Sequence, residues 1–177
     1  MNRPAASGPP QIYLAGPDVF DPDPAGRGTA LKALCARHGT LGLFPMDNEI
    51  AGAADLPGAI RAANMDMIRA CDAVVANMTP FRGPSMDPGT AYEMGAAAAL
   101  GKLVVGYTAD SRSYVDRVAA VMAVARAADG ALRDPDGMAV EEFGVPLADN
   151  LMMARGVAAM FSGPDDAIAF VARRIAR

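Results

Sequence analysis

Short apolar runs alternate along this chain with longer stretches of helical spacing, and that alternation leaves few architectures open. Gln11–Ala15 reads as a strand stopped by Gly16-Pro17, and Leu41–Phe44 as a second stopped by Pro45. Ala73–Met78 and Leu103–Tyr107 read as buried strands, with Val157–Phe161 completing a set of about five. Between them, Arg27–His38, Gly58–Cys71 and Pro88–Leu100 carry helical periodicity, and Gly39 is placed as a C-terminal cap. Tyr114–Ala128 reads as a further helix, and Asp165–Ile175 as a terminal one with Ile168, Val171 and Ile175 on one stripe. Parallel neighbours need a long crossover, and helices of this length supply it. The expected fold is one α/β domain over residues 11–177, a parallel sheet with helices on both faces, in a three-layer sandwich of the flavodoxin or Rossmann kind. Met1–Pro10 reads as a loose tail, and Asp129–Phe143 as a polar, turn-rich excursion.

Composition narrows the function. Of the 177 residues, 52% are apolar and 20% charged, which suits a globular chain. The formal net charge of −4 argues against a nucleic-acid polymer or an anionic membrane as the main partner. No apolar run is long enough to predict a transmembrane helix, and Met1–Pro10 lacks the apolar centre of a secretory signal. Two cysteines, Cys35 and Cys71, make no disulfide framework and suit a reducing cytoplasm. The single histidine, His38, excludes paired-histidine metal sites and disfavours a histidine-activated nucleophile. Acid–base work then falls to carboxylates, with help from tyrosine. No Gly-x-Gly-x-x-Gly follows the first strand and no phosphate-binding Gly-Lys-Ser/Thr loop occurs, so neither a dinucleotide nor a P-loop nucleotide is expected. No metal or other cofactor is expected either.

In an open parallel sheet, ligands bind beyond the carboxyl ends of the strands. The loops to inspect are therefore Gly16–Phe20, Pro45–Glu49 and Thr79–Asp87. The helix after the third of them is unusual: from Pro88 to Gly101 its one charged residue is Glu93, beside Tyr92 and near a run of alanines. A solvated helix face normally carries several charges, so a lone carboxylate there faces a cavity, a partner group or a small patch of solvent. Taken alone it is equally a half-exposed acid near a helix start, favoured by the macrodipole. Asp87, just before Pro88, reads alone as an N-cap. If it turns back over the first turn, the pair would supply a nucleophile and an acid, as retaining glycosyl transfer requires. Asn64 and Asp66 read as a polar helix face, Asp47-Asn48-Glu49 as a turn, and Tyr13 as core.

The ordered set Ile12-Tyr13-Leu14-Ala15-Gly16-Pro17, Met46-Asp47-Asn48-Glu49, Thr79-Pro80-Phe81-Arg82-Gly83, Asp87-Pro88-Gly89-Thr90-Ala91-Tyr92-Glu93-Met94-Gly95 and Asn150-Leu151-Met152 resembles the nucleoside 2-deoxyribosyltransferase family. The resemblance implies that Glu93 attacks the anomeric carbon of a 2′-deoxynucleoside and that Asp87 protonates or hydrogen-bonds the departing base. It implies that Tyr13 and Asp66 hold the nucleophile and the sugar hydroxyls. Asn150, followed by Met152, would reach a neighbouring subunit's site, making the enzyme a homo-oligomer with nucleosides and nucleobases as partners. Gly16, Pro17, Phe20, Asp47, Asn48, Arg82 and Gly89 would line the substrate. Ala148-Asp149 lengthens the approach to Asn150, and Pro84–Met86 makes the loop before Asp87 apolar; both depart from the family pattern. The same carboxylates would serve an N-glycoside hydrolase acting on deoxynucleosides or their 5′-monophosphates. A non-catalytic nucleotide-binding module is the remaining alternative.

Overall fold

The computed structural model describes residues 8–48, 50 and 52–175. Most of the N-terminal tail and Glu49 therefore lie outside the described residues. Five parallel strands form the main sheet: β1 (Gln11–Ala15), β2 (Leu41–Leu43), β3 (Ala73–Asn77), β4 (Leu103–Tyr107) and, numbered in chain order after the hairpin below, β7 (Met160–Phe161). Their spatial order is β2-β1-β3-β4-β7, so the chain reverses direction across the sheet between β1 and β3. A crevice opens at such a switch point, because the loops leaving the two strands diverge to opposite sides.

The period of two along β1 sorts the core. Ile12 and Leu14 point to one face with Leu31, Cys35, Val75, Val105, Ile168 and Val171. Tyr13 and Ala15 point to the other with Ile68, Val74, Met78, Met94 and Val104. The first face is covered by α1 (Pro24–Arg37) and α6 (Pro164–Ile175), the second by α2 (Leu56–Ala70) and α3 (Pro88–Ala99). This is the expected α/β sandwich.

Three helices begin the same way. Asp23, Asp55 and Asp87 each precede a helix with proline in its first turn, and each side chain accepts a backbone N–H at the third position beyond it. These caps move α1 and α2 earlier than the sequence periodicity predicts, because the apolar stripe starts a turn inside the helix. His38 closes α1, and Gly39 takes the left-handed conformation (φ 71°) that favours glycine.

The helix expected over Tyr114–Ala128 stops at Val121, giving α4 (Tyr114–Val121). The chain then turns extended as β5 (Ala125–Arg126), which pairs antiparallel with β6 (Leu132–Arg133). Alanine-rich composition favoured helix there, but propensity is a weak preference that pairing overrides. Arg126 holds the hairpin, donating to the Gly130 carbonyl and to Glu142. The excursion after β5 is thus partly a hairpin, followed by the short α5 (Leu151–Ala154). No helix among the described residues is long and apolar enough to cross a membrane.

Candidate active site

A cavity of about 620 Å³ lies at the carboxyl ends of β1 and β2, with the start of α3 as one wall. Gly16 and Phe20 come from the loop after β1, Met46 and Asn48 from the loop after β2, Ile60 and Asn64 from α2, and Asp87, Gly89, Thr90 and Glu93 from the entry to α3. A second, more open cavity of about 600 Å³ shares Ile60, Asn64, Gly89 and Glu93 and is bordered by Arg61 and Tyr92. Glu93 therefore meets space from two sides.

Tyr13 sits in the sheet with its ring wholly buried, and its hydroxyl donates to Glu93 Oε1 at 2.6 Å. Reading Tyr13 as core is correct for the ring; the phenol is its polar tip. Burial and the negative charge of Glu93 push the phenol well above its ordinary pKa, so it stays a donor. Asn64 Nδ2 approaches the same oxygen at 3.5 Å. Oε2 accepts no hydrogen bond among the described residues, and Glu93 lines the cavity. Burial raises the Glu93 pKa most, the bonds from Tyr13 and Asn64 oppose it, and the charge of Asp87 raises it further. Asp87 and Glu93 line the same cavity, though they lie six residues apart in the chain.

Asp87 uses one oxygen structurally: Oδ2 accepts from the Thr90 backbone N–H and from its hydroxyl, each at 2.8 Å. Oδ1 makes no hydrogen bond among the described residues, and Asp87 lines the cavity. The cap thus fixes the carboxyl while leaving an oxygen to work with. The Asn64 Oδ1 is buried without a partner among the described residues, which costs about 1–3 kcal/mol unless a ligand donates to it.

Several expected residues fall elsewhere. Asp66 lies on the outer face of α2, pairs with Arg69 at 2.6 Å and is 75% exposed. The helix turns about 100° per residue, so two positions from Asn64 the side chain points away from Glu93. Asn64 takes the place expected of Asp66. Its sequence signal is position: it stands four residues from both Ile60 and Ile68, on the apolar stripe of α2. Asp47 does not line the cavity, since it caps the turn at Phe44 and pairs with Lys32 at 2.6 Å. Asn48 does line it. Pro17 borders a smaller neighbouring cavity with Phe20 and Arg27.

Arg82 acts at one remove. Its guanidinium lies 4.5 Å from the Phe81 ring centroid and 5.2 Å from that of Phe20, and the two rings stack at 5.4 Å. Phe20 is the member of this stack that lines the cavity. Arg82 holds φ at 57°, a strained value for a residue with a Cβ. Asn150 caps α5 and donates to Glu141 Oε1, while Met152 is 75% exposed; neither borders the cavity of its own chain.

The sequence pattern of nucleoside 2-deoxyribosyltransferases matches residues 12–152. An uncharacterised protein of Schizosaccharomyces pombe is 34% identical over 151 residues, covering 76% of this chain and 72% of its own. The solved structure of a 2-desoxiribosyltransferase from Leishmania mexicana superposes with a TM-score of 0.74 at 38% identity, covering 94% of this chain and 99% of its own. A 2-deoxyribosyltransferase from Bacillus psychrosaccharolyticus shares the fold, with a TM-score of 0.56 at 18% identity and 88% of each chain covered. The paired acids at the switch point and the match along most of the chain agree: this chain belongs to the nucleoside 2-deoxyribosyltransferase family.

Proposed function

We propose that the protein moves 2-deoxyribose from one nucleobase to another by two successive displacements at Glu93. The observation that carries this reading is the buried Tyr13 hydroxyl holding Glu93 Oε1 at 2.6 Å, while Oε2 accepts no hydrogen bond among the described residues and Glu93 lines the cavity. Oε2 attacks the anomeric carbon, the glycosidic C–N bond breaks, and its electron pair leaves with the base. Asp87 protonates or hydrogen-bonds that base through Oδ1, the oxygen its capping role leaves over. A base nitrogen then attacks the same carbon, its proton passes to Asp87, and the ester electrons return to Glu93. Two inversions retain the configuration. The positive charge that develops on the sugar is stabilised by the Glu93 carboxylate in a partly desolvated site.

The orphaned Asn64 Oδ1 suits a sugar hydroxyl as donor. Phe20, backed by Phe81 and Arg82, suits the flat face of a base. Asn150 and Met152 are assigned to a neighbouring subunit's site; Met138, Phe143 and Val145, all exposed, accompany them near that end of the chain. We place the enzyme in cytoplasmic nucleoside salvage, consistent with Cys35 and Cys71 being free and buried.

Incubating deoxyinosine with and without adenine tests the reaction. Deoxyadenosine formed only with adenine, at a rate that exceeds any background loss of deoxyinosine, is the expected result. Equal loss of deoxyinosine in both mixtures would make the protein a hydrolase.

A further inference from the structure

Resting on the exchange reading above, we propose that Asp149, anchored by Arg117, is a positioning residue that sets Asp87 and the Asn150 segment in a common frame. Arg117, on α4, is 2% exposed and Asp149 is wholly buried, so neither serves solubility. The two Asp149 oxygens accept backbone N–H groups from different parts of the chain. Oδ2 accepts from Met86, the residue before Asp87, at 2.8 Å. Oδ1 accepts from Asn150 at 2.8 Å. Arg117 extends the clamp: Nε donates to the Pro84 carbonyl at 2.7 Å, Nη2 to the Ala148 carbonyl at 2.6 Å, and Nη1 to the Arg112 carbonyl at 2.8 Å. Nη2 also faces Asp149 Oδ2 at 3.4 Å.

The loop that delivers Asp87 is thus fixed on both sides of Ser85, at the Pro84 carbonyl and the Met86 N–H. Asp87 itself is then locked by Thr90. Stability alone does not require such a pair, since well-packed apolar residues often replace a buried ion pair without loss. Placement is what only this geometry supplies. A catalytic group misplaced by about 1 Å can lose on the order of a hundredfold in rate. The Ala148-Asp149 stretch therefore carries the clamp.

The test is a leaving-group comparison on the full chain. Asp149→Asn keeps the volume but offers one acceptor where two N–H groups need one. With a purine deoxynucleoside its kcat should fall about 10- to 100-fold. With a 2-deoxyriboside bearing a nitrophenolate leaving group, which departs without a proton, the fall should stay within about threefold. Asp87→Asn should show the same selectivity, and the double variant should be no slower than Asp87→Asn alone, since the two act as one unit. Arg117→Lys, which keeps the charge but loses the planar fork, should show a smaller loss with the same selectivity, and it serves if Asp149→Asn does not fold. Equal losses on both substrates, or losses that multiply in the double variant, overturn the proposal. A wild type that hydrolyses without exchanging bases overturns the exchange reading alone, because the leaving-group ratio is read equally well on hydrolysis.

Discussion

Replacing Tyr13 with Phe deletes one hydroxyl and little else, because the ring is wholly buried and stays packed. The deleted group donates to Glu93 Oε1 at 2.6 Å, a short bond to a charged acceptor in a half-buried site. Hydrogen bonds to charged groups contribute about 1.5–3 kcal/mol. At 1.36 kcal/mol per tenfold, the balance between ionised and protonated Glu93 moves roughly 10- to 150-fold toward the protonated acid. The direction is fixed by what remains: burial and Asp87 both raise the Glu93 pKa, and only the long contact from Asn64 still opposes them. Since only the carboxylate attacks, the acidic limb of the kcat/KM profile should move toward neutral pH. Base exchange measured across pH for wild type and Y13F reads this directly. An acidic limb that coincides in the two proteins would refute the assignment of Tyr13 to the ionised nucleophile.

Glu93→Gln should abolish exchange yet raise the melting temperature at neutral pH, because the folded carboxylate carries a desolvation penalty that the amide lacks. A raised folded-state pKa means the fold binds the proton more tightly than the unfolded chain. The penalty is therefore full above the folded pKa and vanishes below the ordinary value of 4.5, so the gap between variant and wild type should close as the melts are taken to lower pH. Asp66→Ala should leave exchange unchanged and stability within about 0.5 kcal/mol, whereas Asn64→Ala should lower kcat/KM on the order of tenfold; kinetics and melts of both variants check the contrast. Gly28→Ala would set a Cβ 2.6 Å from the Phe44 ring and should cost about 1–3 kcal/mol in a denaturant titration. Adenosine should turn over far more slowly than deoxyadenosine, since a 2′-hydroxyl would crowd Glu93, and equal rates would contradict the site.

The sheet was legible because its strands are apolar runs whose neighbours are helices with their own stripes. Glu93 stands out locally as the one charge on its helix, whereas Tyr13 reads as core and Asp87 as an N-cap, and only the family resemblance marks those two as candidates. Local reading failed where a side chain's direction or a distant partner decides. Asp66 is the carboxylate of the two, but the α2 turn sends it to solvent and brings the amide two residues earlier to Glu93. Asp47 looked available but is consumed by Lys32 and its own turn. Arg117 and Asp149 stand 32 residues apart in the chain, and nothing near either predicts that they meet. The end of α4 was missed for a related reason: Ala125 and Arg126 become extended only because Leu132 and Arg133 return to pair with them.

The most direct test is to mix the enzyme with a 2′-deoxynucleoside, quench with acid within one turnover, and map the protein by mass spectrometry. The account predicts one deoxyribosyl group on the peptide containing Glu93, chased off by an added base, and none on Glu93→Gln. A sugar trapped on any other side chain, or exchange that proceeds undiminished in Glu93→Gln, would contradict it.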